Sequence, residues 1–550
     1  MLTNLVDADK LQDSIFTNSH YHPSTSEEQD ELNEVKTFSL NKYKIPLEGI
    51  SENKSYSVIH NDLTLDGNPT LNLASFVNTW VSQSARRLIG DNVLKNLADA
   101  DEYPTLMDIT QRDISILGSL WNANLDEKPI GTATTGSSEA IMLGGLALKK
   151  RWQKARLAEG KDISKPNIIM GANAQVALEK FARYFDVECR LVNVSKESRY
   201  VLDISKIEEN ADENTIGIFV IMGSTYTGSF ENVLAVSDLL DDIQERKGLD
   251  IPIHVDGASG AMVAPFVYPE LKWDFRIKRV HSINTSGHKF GLTTAGLGWI
   301  IWRDQKYLPE ELIFKLRYLG GVEESFNLNF SRSGFQTVHQ YFNFIRWGFS
   351  GYKKIHAKSL RNARLLSNML EKSRFYECVS YIHRKKGVYE LNEADIESNI
   401  DRQFDDESNF NPGLPVVAFK LTDDFKAQYP NVPQSLISTL LRKKGWIIPN
   451  YPLPPSEEAT EILRVVVRVE LSYDLLNRLV KDLIQVVEVL VKSNSLYREA
   501  RSAEAGSAAD SNLIYKLLNS IANDAEGLED LEVEFKDHLE NHHGSFRGTC

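Results

Sequence analysis

Cysteine is scarce: the 550 residues hold three, Cys189, Cys378 and Cys550. They are too few for a disulfide framework and too far apart for zinc spacing, so a reducing compartment is expected and no metal centre. Long apolar runs are missing as well. Stretches such as 296–302 fall far short of the roughly 20 residues that cross a bilayer, and Asp7 and Asp9 stand where a signal peptide would be apolar. The expectation is a cytoplasmic protein with no membrane partner. The last residue is Cys550, so prenylation at a four-residue signal is not expected. Excess positive charge is lacking too. Lys and Arg number 62 against 76 Asp and Glu, a formal charge of −14, which argues against a nucleic-acid partner, because phosphate contacts need clustered cations. No internal repeat is seen.

What remains is ordinary globular composition, 42% hydrophobic and 25% charged. The length exceeds the size at which single cores stop growing, about 250–300 residues, so two domains with appendages are expected. Residues 1–70 are polar and uneven and read as an N-terminal arm. Over 71–359 short apolar runs alternate with helical periodicity, with strands expected at 167–170, 190–194, 216–222, 251–255, 280–284 and 297–302. This is the pattern of an α/β protein whose mostly parallel sheet is flanked by helices. Over 360–495 a smaller α+β domain is expected, with strands at 414–420, 446–449 and 463–469 and a helix at 472–492. Residues 390–407 carry eight acids against one Arg and read as a solvated loop. The tail, 496–550, has eleven acids against five bases, with one helical patch at 513–521.

In open α/β sheets ligands collect at the carboxyl ends of the strands, and distinctive residues stand there. Ser-Gly-His-Lys-Phe-Gly occupies 286–291, just past a strand. A glycine-boxed lysine preceded by His288 can bring its amine to a bound carbonyl, so Lys289 is a Schiff-base candidate; an exposed loop lysine is the alternative. The strand at 251–255 ends in Asp256, then Gly257, Ala258, Ser259 and Gly260, with Asp256 placed 33 residues before Lys289. A carboxylate at a buried strand tip needs a partner. The protonated ring nitrogen of pyridoxal phosphate (PLP) is one, and small residues such as Ala258 would let a flat ring sit against the sheet. Helix capping is the other reading. Gly131-Thr-Ala-Thr-Thr-Gly136 leads into Ser137, Ser138 and Glu139 at a helix start. Free amides, hydroxyls and the helix dipole make this a phosphate site, or else a plain serine cap. The three together, in this order, each supply a different part of one cofactor's binding.

The motifs at 136–139, Lys180-Phe-Ala-Arg-Tyr184, Thr225-Tyr-Thr-Gly228, 254–259, 286–291 and Phe330-Ser-Arg332 resemble those of the glutamate decarboxylases, group II PLP-dependent decarboxylases of fold type I. The likeness runs from about Asn61 to Arg468. It implies that Lys289 carries the imine to PLP, that Asp256 faces the pyridine nitrogen, and that Ser137, Ser138, Ser286 and His288 hold the phosphate. By the same likeness Gln175 lies over the ring, Thr225 lines the cofactor, and Ser331 reaches the phosphate of a neighbouring subunit, which implies a homodimer with shared sites. For L-glutamate, the segments holding Ser75, Phe76, Asn96 and Asp99 match those receiving the distal carboxylate, with Ser75 where bacterial relatives carry Thr. Arg464 would meet the α-carboxylate; a surface strand arginine is the alternative. The implied reaction releases CO2 and 4-aminobutyrate and takes up one proton per turnover. Plant relatives carry a basic, Trp-bearing tail that binds calmodulin. The tail here is acidic and has no Trp, so no calmodulin partner is expected.

Overall fold

The computed structural model describes residues 44–124, 126–316, 323–390, 406–430 and 432–502. Most of the acidic loop at 390–407, the patch at 513–521 and Cys550 lie outside the described residues. The chain divides into two compact units, Met1–Gly67 and Asn68–Cys550. In the first unit, the expected arm, helix α1 (Glu52–Leu63) is capped by Ser51, whose Oγ accepts from Lys54 N at 3.4 Å, and none of its residues is buried.

The second unit opens with helices α2 (Gln83–Asn92) and α3 (Pro104–Leu120) and then builds a seven-stranded sheet. Its strands are β1 (Ile130–Thr134), β2 (Asn167–Gly171), β3 (Glu188–Val192), β4 (Thr215–Ile221), β5 (Ile253–Asp256), β6 (Val280–Ser286) and β7 (Gly298–Trp302), in the order β1-β7-β6-β5-β4-β2-β3. Neighbours from β3 to β6 run parallel. Every residue of β2, β4, β5 and β7 is buried, as expected of strands with helices on both faces. The covering helices include α4 (Ser137–Ala158), α5 (Val176–Tyr184) and α6 (Val233–Lys247).

Two features of this sheet depart from expectation. β7 is antiparallel to both β6 and β1, because residues 287–297 form a turn with no crossover helix, and a parallel return needs one. β1 itself is small and Thr-rich, Ile-Gly-Thr-Ala-Thr, and reads in sequence as part of a glycine loop. Next come the antiparallel strands β8 (Phe314–Leu316) and β9 (Glu323–Ser325) and the long helix α7 (Phe335–Lys372). α7 breaks at Gly348, whose φ of 55° and ψ of −173° no L-residue adopts readily. It runs through the expected domain boundary at 359/360 and packs against both α3 and the second sheet.

That second sheet has the order β10-β11-β13-β12, all antiparallel: β10 (Tyr376–Cys378), β11 (Val416–Leu421), β12 (Asn450–Pro452) and β13 (Glu461–Val466). Helices α8 (Ser435–Lys443) and α9 (Tyr473–Ser502) share its hydrophobic core. The expected strand at 446–449 is instead a core segment: Trp446 and Ile448 are buried, and Ile447 makes a single bridge to Asn72. Below this sheet the buried Glu371 accepts from Arg384 at 2.6 Å and pairs with His383 at 3.0 Å.

Candidate active site

The carboxyl ends of β4, β5 and β6 and the amino end of α4 face one small pocket. Lys289, Asp256, Ala258, Ser137, Gln175 and Thr225 line it. Asp256 is 4% exposed; its Oδ1 accepts from Asn284 Nδ2 and from Ala258 N, each at 3.0 Å. The small residues that follow let the turn fold tightly under the strand ends: Gly257 N donates to Asn284 O at 3.0 Å, and Gly260 N donates to Met222 O at 2.9 Å.

Lys289 is 5% exposed, and its Nζ stands 5.4 Å from the centre of the Phe76 ring. The turn that carries it is fastened carbonyl by carbonyl. His288 O accepts from Asn78 N at 2.7 Å, Gly291 O from Tyr352 Oη at 3.0 Å and Gln340 Nε2 at 3.2 Å, and Leu292 O from Asn343 Nδ2 at 2.9 Å and Asn78 Nδ2 at 3.1 Å. Leu292 sits at φ 65°, a strained conformation for a branched residue that such surroundings can hold.

Ser137 is buried at the start of α4, while Ser138 is exposed. Ser286 Oγ is buried and has no protein partner, an acceptor-donor left open beside the cavity. The imidazole of His288 lies against Gly136, where an added Cβ would stand 3.5 Å from Cε1. Burial, then the charge of Lys289, pushes its pKa down to about 4. Its Nδ1 accepts from Leu297 N at 3.3 Å, so the neutral ring carries its proton on Nε2. An amine, a carboxylate and a helix N-terminus ringed with hydroxyls around one space fit the aldehyde, ring nitrogen and phosphate of PLP.

The remaining sequence candidates fall into two groups. Phe76 lies between Lys289 and Arg464, whose guanidinium is 5.0 Å from the ring centre. Arg464 is buried; it donates to Thr225 O at 2.9 Å and to Ala74 O, and its Nε has no partner. Ser75 is half-buried, its Oγ accepting from Val77 N at 3.1 Å. Asn96, Asp99 and Ser331 do not line this cavity, and neither do Ser75, Phe76, Arg464, Ser138, Ser286 and His288. Asn96 and Ser331 gather elsewhere: Asn96 Nδ2 lies 3.4 Å from the exposed Ser331 Oγ, and Asn96 Oδ1 accepts from Arg332 N at 2.9 Å.

Sequence reasoning gave no role to three residues that build the site. Glu139 ties the turn before Ser137 to the segment before Ser331: Oε2 accepts from Thr135 N at 2.8 Å and Oγ1 at 3.0 Å, and Oε1 from Leu328 N at 3.1 Å. Glu231 accepts from Ile221 N at 2.7 Å, Asn173 Nδ2 at 3.0 Å and Leu202 N at 3.1 Å, and Asn173 and Ile221 line the cavity. Burial pushes the Glu231 pKa up to about 7 despite these donors. Asn173 stands two residues past the end of β2, the strand-end signal that could have flagged it.

This fold and site define a PLP-dependent enzyme of fold type I. The chain matches the pyridoxal-dependent decarboxylase conserved domain over residues 48–389. It is 50% identical over 533 residues to a glutamate decarboxylase of Saccharomyces cerevisiae, covering 93% of this chain and 90% of that one. It is 45% identical to glutamate decarboxylase 2 of Arabidopsis thaliana, covering 82% and 85%. Its structure matches that of a Lactobacillus brevis glutamate decarboxylase with a TM-score of 0.74 at 36% identity, covering 85% of this chain and 97% of that one. The chain therefore belongs to the pyridoxal-dependent decarboxylase family. Among the described residues, no helix is long and apolar enough to cross a membrane.

Proposed function

We propose that this chain is a glutamate decarboxylase that converts L-glutamate to 4-aminobutyrate and CO2 with PLP. The observation that carries the reading is the convergence of Lys289, Asp256 and Ser137 on one cavity in a chain half identical to a glutamate decarboxylase. When bound, PLP supplies an aldehyde for the lysine and amino-acid amines and a ring that draws electrons from the breaking Cα–carboxylate bond.

The protein's share is orientation and charge. Asp256 holds a proton at the ring nitrogen, the amides at the start of α4 with Ser137 and Ser286 take the phosphate, and neutral His288 donates through Nε2 beside them. Gln175 covers the ring and Thr225 borders it. Arg464, with an unused Nε beside Phe76, would take the α-carboxylate and so fix the orientation of the substrate. Ser75 offers a hydroxyl to the distal carboxylate. One proton replaces the departing CO2 at Cα, so turnover in unbuffered solution should raise the pH; a steady pH during substrate loss would count against the reaction.

The exposure of Ser331 and its contact with Asn96 support a homodimer in which Asn96, Asp99 and Ser331 serve the partner's site. The acidic, Trp-free tail supports an enzyme without calmodulin control, which a calmodulin pull-down of the full chain checks. The substrate test is a panel of L-glutamate, L-aspartate and aromatic amino acids with CO2 release as readout. Turnover of glutamate alone is expected, and faster turnover of any other member would overturn the assignment.

A further inference from the structure

β5 and β6 run side by side with His254 opposite Ser282 and Asp256 opposite Asn284, after a register shift between Ile253 and His254. Residues two apart on a strand share a face, so these polar pairs stand together on one side of the sheet. All are sealed from solvent: His254 and Asn284 are 0% exposed, Ser282 1% and Asp256 4%. Placing so many polar groups there is costly unless every hydrogen bond is made.

The bonds are made, and they run in one direction. Asn284 Nδ2 lies 3.0 Å from the Asp256 carboxylate and must donate to it. That turns Asn284 Oδ1 toward His254 Nε2 at 2.7 Å, so Nε2 must carry the proton. His254 Nδ1 is then an acceptor, and Ser282 Oγ, 2.7 Å away, donates to it. Burial pushes the His254 pKa down to about 4, which keeps the ring in this neutral form. Helix α4 leaves room for it only because residue 144 is glycine: an added Cβ would lie 2.5 Å from His254 Cε1 and 2.6 Å from Nδ1. Phe219 closes the ring in edge-on at 5.2 Å. The chain of donors ends on one group at the cavity, Asp256.

The geometry points to a one-way relay from Ser282 through His254 and Asn284 to Asp256, which makes these three positioning residues for the contact between Asp256 and the ring nitrogen of PLP. Asn284 and Ala258 both occupy Oδ1, so the orientation they impose leaves Oδ2 for the ring. The inference rests on the PLP reading of the cavity. It goes further in assigning the hold on the ring nitrogen to side chains that never touch the cofactor.

The test compares the binding of PLP and of its deaza analogue, in which C–H replaces the ring nitrogen, to the full-length apoenzyme. Failure of the unmodified chain to bind either would sink the cofactor reading itself. Given binding, the unmodified chain should prefer PLP, and His254→Leu and Asn284→Ala should lose about tenfold of that preference, the worth of a hydrogen bond to a charged group. Affinity for the analogue should stay nearly constant. His254→Gln, whose amide nitrogen can take the place of Nε2, should restore most of the preference. A merely structural role would weaken both ligands alike, and an unchanged ratio in the leucine variant would overturn the relay. A second measurement needs no substitution. Nitrogen-15 spectra of histidine-labelled holoenzyme should show His254 protonated on Nε2 alone, and protonation on Nδ1 would refute the direction of the relay even if the variants failed to fold.

Discussion

Replacing Glu139 by glutamine changes one atom and removes one charge, yet the surroundings of this side chain cannot accept the change. Only donors face it: Thr135 N and Oγ1 on one oxygen, Leu328 N at 3.1 Å and Asn329 N at 3.4 Å on the other. A glutamine must turn its NH2 toward one side. Facing Thr135, the hydroxyl can rotate to accept but the backbone N–H cannot; facing residues 328–329, both partners are backbone N–H groups. One charge-assisted bond is lost and a donor is left against a donor in a side chain 5% exposed. The summed cost is roughly 2–4 kcal/mol. Because Thr135 precedes the turn proposed to hold the phosphate, Glu139→Gln should release PLP faster as well as unfold earlier. Scanning calorimetry of apo and cofactor-loaded forms, with cofactor release followed by fluorescence, reads both. A fall in the unfolding midpoint of roughly 2–4 °C is expected. A midpoint and a release rate equal to those of the parent would refute the reasoning.

Lys289→Ala should stay folded, with an apo unfolding midpoint near that of the parent, and should show no CO2 release; residual turnover above the solution rate would contradict its role. Arg468→Met should free the segment carrying Ser75 and Phe76, because Arg468 donates to Val77 O at 2.8 Å, Asn72 O at 2.8 Å and Pro69 O at 2.9 Å. A loss of roughly 2–4 kcal/mol and new proteolytic cleavage near residues 68–80 are expected, and an unchanged digestion pattern would count against it. Burial holds His254 and His339 at pKa values of about 4 against 6.5 for the free side chain. The unfolded chain therefore takes up protons first as pH falls, so the stability is full above pH 6.5 and drains towards pH 4, at about 3 kcal/mol for each histidine. Glu231, raised to about 7, works the other way between 4.5 and 7 and tempers the loss. Denaturant midpoints that rise steadily from pH 6.5 to pH 4 would overturn this sign.

The strand ends and the chemistry at their tips were legible in the sequence because a fully buried strand is a short apolar run and a reactive group must follow it. Lys289, Asp256 and Ser137 therefore meet in one cavity from residues far apart in the chain. Strand β1 was not legible, since Gly131 and its threonines carry no β-branched apolar run. The sense of β7 depends on the length of the turn before it rather than on its own residues. Glu139 and Glu231 were hidden for a different reason. Their work is done on backbone amides of distant segments, and composition says nothing about which amides a fold leaves unpaired. The His254–Asn284 pair required the register of β5 against β6, a tertiary fact. Asn96 and Ser331 do lie together, but away from the cavity that the same chain's Lys289 lines.

The most direct test of the account is mass spectrometry of the purified chain after borohydride reduction and digestion. A pyridoxyl-phosphate mass fixed to the peptide that contains Lys289, with the yellow colour lost on reduction, is the predicted result. A colourless protein, or an adduct on a different lysine, would contradict it.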